Sequence, residues 1–307
     1  MSLAVEVTNL SRHFGKFRAV DNISFEVYQG EIFGFLGANG AGKSTTIRML
    51  CGILAPTSGR ALVLGNDIQT DPSAVKSSIG YMSQKFSLYS DLTVDENINF
   101  AAGVRGFSGS QLQKRKDKIL RETDLTSERK TLTEELPGGV KQRLALSCSL
   151  IHDPRLIFLD EPTAGVDPAS RRMFWDLIRE MKERGRTVFV TSHYMDEVEQ
   201  CDRIALMNRG RIDALDTVAG LRKNVLPGPV FEIQSNHSKA VRKFLDQWKS
   251  DHSDIERIDP YGLGFHVIVN GRGDSLRREL RNQGIDVEVI VPSLEDIFVY
   301  VIGRTQS

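Results

Sequence analysis

From Gly37 the chain reads Gly37-Ala38-Asn39-Gly40-Ala41-Gly42-Lys43-Ser44-Thr45, a spacing of glycines, one lysine and two hydroxyls that suits one kind of chemistry. The glycines let the backbone turn tightly, so that successive N–H groups converge into a cradle for phosphate oxygens. Lys43 is placed to reach the outer phosphates of a nucleotide, and the Ser44 hydroxyl to meet a Mg²⁺ ion. A turn that merely joined a strand to a helix would need neither residue.

A second candidate set lies at Leu156-Ile157-Phe158-Leu159-Asp160-Glu161. Here an apolar strand ends in two carboxylates, which burial would penalise heavily unless a cation or a water network met them. Side chains alternate along a strand, which predicts that the two acids face differently. Asp160 is the better candidate for the Mg²⁺ shell, and Glu161 for polarising an attacking water.

These groups need elements to hold them. Ile32 to Leu36 is a compact apolar run that meets the glycine-rich turn, and Lys43 to Leu54 has a helical pattern, which together predict strand, loop and helix. Residues 1 to 36 alternate apolar and polar side chains, as strands of a partly exposed antiparallel sheet do. Residues 93 to 130 carry helix-period apolar positions and many charges and read as a helical insertion. Short apolar strands then alternate with helices from Leu156 to Met207, the pattern of a parallel-sheet α/β core. After a Pro/Gly-containing break near Leu221 the order is strand, helix, strand, strand, helix, strand and a short helix from Leu294, which predicts a ferredoxin-like βαββαβ unit.

Composition narrows the function. The chain has 307 residues with 40 Lys+Arg against 40 Asp+Glu, a length that suggests two domains or one with a substantial appendage and a charge balance that gives no footprint for nucleic acid as a partner. Cys51, Cys148 and Cys201 are widely spaced, without the pairing expected of a disulfide framework or a zinc site. No apolar run approaches the ~18 residues of a membrane span, and the opening residues lack a signal-peptide stretch. The expectation is a cytosolic protein whose membrane role, if any, comes through a partner.

With the phosphate loop and the acid pair in place, the chain resembles the ATP-binding subunits of ABC transporters. Phe14 lies 23 residues before Gly37, where the family has an aromatic that stacks on adenine. Gln84 resembles the Q-loop glutamine, which touches Mg²⁺ or the water and links the site to the membrane partner. Ala164 to Asp167 is similar to the D-loop, and His193 to the switch histidine that contacts the γ phosphate. The signature, usually Leu-Ser-Gly-Gly-Gln, stands here as Leu136-Pro137-Gly138-Gly139-Val140. Pro137 supplies neither the serine hydroxyl nor an N–H, although proline is accepted in a first helical turn, and the N–H groups of Gly138 and Gly139 remain.

The resemblance implies an ABC-type P-loop NTPase of the α/β class over residues 1–220, with an N-terminal antiparallel subdomain and a helical subdomain at about 86–150, and an accessory α+β domain over 221–307. It implies ATP and Mg²⁺, with Ser44, Gln84 and Asp160 at the metal, and Glu161, His193, Lys43 and Gln84 as catalytic residues. Implied partners are a second ATPase chain paired head to tail and a membrane permease, which would hold the protein on the inner face of the cell membrane. Phe86 and Tyr89 are candidates for that docking, the alternative being burial in their own subdomain. The C-terminal Pro292-Ser-Leu-Glu-Asp-Ile-Phe298 is similar to the tail of the daunorubicin-resistance type, which favours export over import. The alternatives are a soluble ABC ATPase without a transport role and a degenerate partner that holds ATP with slow hydrolysis.

Overall fold

The structure, a computed structural model, describes residues 2–84, 88–235 and 237–304. It divides into two compact units, Met1–Leu215 and Asp216–Ser307. The division precedes the expected break near Leu221, because Thr217 caps a helix there, accepting from the Gly220 N–H through its side chain.

In order, the chain runs β1 (Leu3–Phe14), β2 (Phe17–Tyr28), β3 (Ile32–Leu36), α1 (Lys43–Leu50), β4 (Ser58–Val63), β5 (Asn66–Asp67), α2 (Pro72–Ser78), β6 (Ile79–Met82), α3 (Val94–Val104), α4 (Gly109–Glu122), α5 (Gly138–Leu150), β7 (Leu156–Asp160), α6 (Pro168–Glu183), β8 (Thr187–Ser192), α7 (Met195–Val198), β9 (Arg203–Asn208) and β10 (Arg211–Thr217). One sheet has the order β2-β1-β4-β5 and is antiparallel. Its inward residues follow the two-residue period, with Ile23, Phe25 and Val27 buried and Ser24 and Glu26 exposed. The second sheet has the order β10-β9-β3-β8-β7-β6, and β9, β3, β8, β7 and β6 run parallel. Every residue of β3, β7 and β8 is buried, which is why these strands are continuous apolar runs rather than alternating ones.

An aromatic cluster ties the two sheets together. Phe25 of the antiparallel layer stacks on Phe33 at 5.6 Å, and Phe189 lies 5.3 Å from both Phe33 and Phe158. Fully burying each such ring contributes about 1.5–3 kcal/mol. The strands that end at the site are therefore anchored within one core.

The helical insertion is present as α3 and α4, with α5 following. Thr93 and Glu96 form a reciprocal capping box that starts α3. Buried Asn97 then donates to Tyr89 O at 3.0 Å and to Thr133 Oγ1 at 2.9 Å, tying both to the start of α3.

The second unit contains α8 (Val218–Asn224), β11 (Val230–Ile233), α9 (Ser238–Asp251), β12 (Ile255–Tyr261), β13 (Gly264–Val269), α10 (Asp274–Asn282), β14 (Val287–Ile290) and α11 (Leu294–Arg304). Its sheet order is β12-β13-β11-β14 with all neighbours antiparallel, the ferredoxin-like arrangement read from the sequence. Leu245, Leu276 and Leu280 pack with Phe231 and Val267 in its own core. Among the described residues, no helix is long and apolar enough to cross a membrane.

Candidate functional site

Parallel β3, β7 and β8 deliver the functional groups at their carboxyl ends, where open α/β sheets form crevices. β3 leads into Gly37, where a Cβ would lie 2.4 Å from Met207 O. Gly42 has φ +110°, and a Cβ there would lie 2.4 Å from Ala19 O. Only glycine fits either position, and the loop closes with Ala41 N–H donating to Ala38 O at 3.1 Å.

Lys43 opens α1 and is buried. Its ammonium donates to Gly37 O at 2.8 Å and Ala38 O at 3.2 Å, and pairs with Glu161 Oε1 at 3.0 Å. Next to it, Ser44 Oγ donates to Asp160 Oδ1 at 2.9 Å, an oxygen that also accepts from Thr191 Oγ1 at 2.9 Å. Burial raises the pKa of the Asp160 carboxyl; the hydroxyls of Thr191 and Ser44 pull it back, and the neighbouring Glu161 charge pushes it further up.

The two acids do face differently, but the expected reason needs correction. β7 ends at Asp160, and Glu161 has already left the strand with φ +46°. A left-handed residue that is not glycine is uncommon, and here it is held by the Glu161 N–H donating to Thr191 Oγ1 at 2.8 Å. The turn aims the Glu161 carboxylate back across the crevice. There its Oε2 accepts from Gln84 Nε2 at 3.0 Å and lies 3.3 Å from His193 Nδ1.

A cavity of about 300 Å³ opens over these groups, lined by Phe17, Ala19, Asn39, Gly40, Gly42, Lys43, Ser44, Thr45, Gln84 and Glu161. A wider hollow of about 570 Å³ lies along α9 and contains none of these side chains. The aromatic wall of the smaller cavity is Phe17, not Phe14. The two rings are cross-strand neighbours at the end of the β1–β2 hairpin, but Phe14 carries the Arg12 guanidinium 4.6 Å from its ring and does not line the cavity. The available signal was another exposed aromatic across the tight Gly15-Lys16 turn.

Pro137, Gly138, Gly139, Asp167 and Tyr89 do not line this cavity. Pro137 precedes α5, its carbonyl accepting from the N–H groups of Val140 and Lys141 at 3.0 Å, so Gly138 and Gly139 carry leading donors without intrahelical partners. Pro137 and Gly138 are exposed, and a Cβ on Gly139 would lie 2.4 Å from Ser170 Oγ. Asp167 is exposed and caps α6, accepting from Ala169 and Ser170 N–H at 3.0 Å. Tyr89 is exposed and meets Phe100 edge-on at 4.7 Å, whereas Phe86 lies outside the described residues.

The donor set fits Mg²⁺. A hydroxyl and a carboxylate, both hard oxygen donors, converge at Ser44 and Asp160, and Mg²⁺ commonly takes one or two protein ligands while keeping waters and phosphate oxygens. Among the described residues, no group of three or more His, Cys, Asp or Glu forms a metal-only cage. Gln84 turns its amide nitrogen to Glu161, a hydrogen bond that places it against the acid. Sequence reasoning passed over Thr191, which bonds both Asp160 and the Glu161 backbone.

Residues 20–164 match the family model described as ABC transporter. The chain is 47% identical over 253 residues to the probable multidrug ABC transporter ATP-binding protein YbhF of Escherichia coli (strain K12), covering 81% of this chain and 43% of that protein's length. It is 33% identical over 309 residues to the daunorubicin/doxorubicin resistance ATP-binding protein DrrA of Streptomyces peucetius, covering 98% of this chain and 93% of the relative. Among solved structures it is similar to cbiO1 from Clostridium perfringens, part of the ABC transporter complex cbiONQ, with TM-score 0.66 and 30% identity, covering 71% of this chain and 89% of that one.

Proposed function

Because the chain belongs to the ABC transporter family, as one of its ATP-binding proteins, we propose that it binds ATP at the Gly37–Thr45 loop and hydrolyses it beside Glu161 to power export through a separate membrane permease. The observation that carries the reading is the convergence of Lys43, Gln84 and His193 on one buried carboxylate. A carboxylate so oriented, at the edge of a phosphate cradle, suits a general base for water.

The loop amides and the α1 N-terminus hold the phosphates, and Phe17 offers a face for the base. Glu161 takes a proton from the attacking water; the water oxygen bonds to the γ phosphorus as its bond to the bridging oxygen breaks, releasing ADP and phosphate. His193 and Gln84 keep the carboxylate aimed, and Lys43 supplies positive charge to the outer phosphates. Ser44 and Asp160 would hold a Mg²⁺ ion, which would supply positive charge beside the phosphates.

Two such chains pair so that Pro137, Gly138, Gly139 and Asp167, exposed or half-exposed at the starts of α5 and α6, face the nucleotide held by the partner's loop. ATP then stabilises closure, and phosphate release weakens it, which is a population shift driven by differential affinity. Tyr89 and the α3 surface meet the permease, which keeps the protein on the inner face of the membrane. The relatives' names, multidrug ABC transporter and daunorubicin/doxorubicin resistance, support export. A second reading, a slowly hydrolysing partner subunit, rests on Pro137, which lacks the signature hydroxyl.

The test is hydrolysis by the purified full chain, alone and reconstituted with the permease encoded beside it. Mg²⁺-dependent release of phosphate from ATP, faster with the permease, is expected. Failure to retain ATP with Mg²⁺ contradicts the reading.

A further inference from the structure

Behind the site lies a buried acid that the proposed chemistry does not use. Glu197, on α7, is 1% exposed. Its Oε1 accepts from Thr163 Oγ1. Its Oε2 accepts from Ser192 Oγ at 2.5 Å, and Arg171 Nε lies 3.4 Å from Oε1. A buried carboxylate is tolerated only when its oxygens are met, and here every partner belongs to a segment bordering the site.

Thr163 stands two residues after Glu161, and Ser192 immediately precedes His193. Ser192 Oγ also accepts from the Tyr194 N–H at 2.9 Å, so the backbone on both sides of His193 is tied to the same acid. Arg171 lies in the first turns of α6, just beyond Asp167, with its guanidinium 4.1 Å from the Tyr194 ring centre. The acid therefore holds Thr163 on one side of the Ala164–Asp167 turn and Arg171 in α6 beyond it, and the His193 turn from behind.

We infer that Glu197 is a positioning residue: it clamps the Thr163–Asp167 segment to the His193 turn and so sets the approach of His193 to Glu161. The inference rests on Glu161 and His193 acting as proposed above. It also gives a route by which displacement of Asp167 reaches His193 through Thr163, Arg171 and one carboxylate. Glu197 touches neither nucleotide nor water.

Glu197→Gln tests this. The amide keeps the shape but removes the charge that faces Arg171 and puts an N–H donor where a carboxylate oxygen accepted, so the Arg171 pairing is lost and one hydroxyl must turn from donor to acceptor. In the full chain, kcat for ATP should fall about tenfold or more, since small misplacements cost up to roughly 10²-fold, while the KM and Kd for MgATP stay within about twofold. Amide hydrogen exchange should quicken together at 163–167 and 192–194 but not at 43–45. Thr163→Val and Thr163→Ser guard against a Glu197 variant that does not fold: the serine variant, which keeps the hydroxyl, should exceed the valine variant in kcat by at least about fivefold. Equal kcat for the two Thr163 variants, or unchanged exchange in both segments of Glu197→Gln, overturns the clamp. A wild-type chain that binds no ATP would instead overturn the proposed function, and the exchange data would still decide the clamp.

Discussion

Lys43 and Glu161 form a buried ion pair, 3.0 Å between Nζ and Oε1, with side chains 3% and 6% exposed. The residue best placed to hold phosphate is thus also the one that holds the candidate base. In the proposed function phosphate oxygens would compete for the ammonium that Glu161 shares with two loop carbonyls, so binding the nucleotide would free the carboxylate.

Lys43→Ala should therefore act twice. Binding of ATP, followed by calorimetric titration, should weaken by about 10²-fold or more as a charge-assisted contact is lost. Unfolding should also shift to lower temperature, because removing one member of a buried pair costs about 3–5 kcal/mol.

The aromatic wall gives a sharper contrast. Stacking of a base on an aromatic ring contributes about 1–3 kcal/mol, so Phe17→Ala should raise the Kd for ATP roughly 5- to 150-fold, whereas Phe14→Ala should change it about twofold or less. Fluorescent-nucleotide titration of both variants decides between the rings.

Phe14 has the spacing to Gly37 that the family resemblance implies, whereas Phe17 lines the cavity. The β1–β2 pairing carries register irregularities between Leu10 and Arg12 and between Arg12 and His13, and such bulges re-aim side chains. Which ring of a hairpin end faces the loop depends on that register as well as on spacing to Gly37. The phosphate loop itself was legible because backbone geometry at Gly37 and Gly42 admits only one residue type. The ferredoxin-like order was legible from alternation, and the parallel strands from unbroken apolar runs. The Glu161 turn was not, since its left-handed φ depends on Thr191, 30 residues away. Helix α1 stops at Leu50 rather than Leu54 because Gly52, at φ +65°, ends it.

Acidification should weaken Mg²⁺-dependent binding through Asp160. Burial first, and Glu161 in addition, raise its pKa, so the acid takes up a proton at higher pH than an ordinary Asp, and a protonated carboxyl is a poor cation ligand. A raised folded-state pKa also means that the ionised acid costs stability above its ordinary value, a cost relieved as pH falls through the raised one. Asp160→Asn should lose the Mg²⁺ dependence of ATP binding yet unfold at a higher temperature near neutral pH, with the gain shrinking on acidification. Thermal unfolding across pH, with and without MgATP, checks both signs.

Pro137→Ser restores the hydroxyl that the signature segment lacks. If that donor acts in the transition state, turnover in the assembled transporter should rise about tenfold or more. Steady-state hydrolysis in proteoliposomes measures it, and an unchanged rate would show that the amides of Gly138 and Gly139 suffice.

The central claim, that ATP held at Lys43 is cleaved by water activated at Glu161, is tested most directly by Glu161→Gln with binding and single-turnover hydrolysis measured on the same samples. The account predicts an ATP Kd within about threefold of the parent and cleavage slowed by about 10²–10⁴-fold, with an ATP-stabilised dimer on size exclusion. Cleavage at the parental rate by that variant would contradict it.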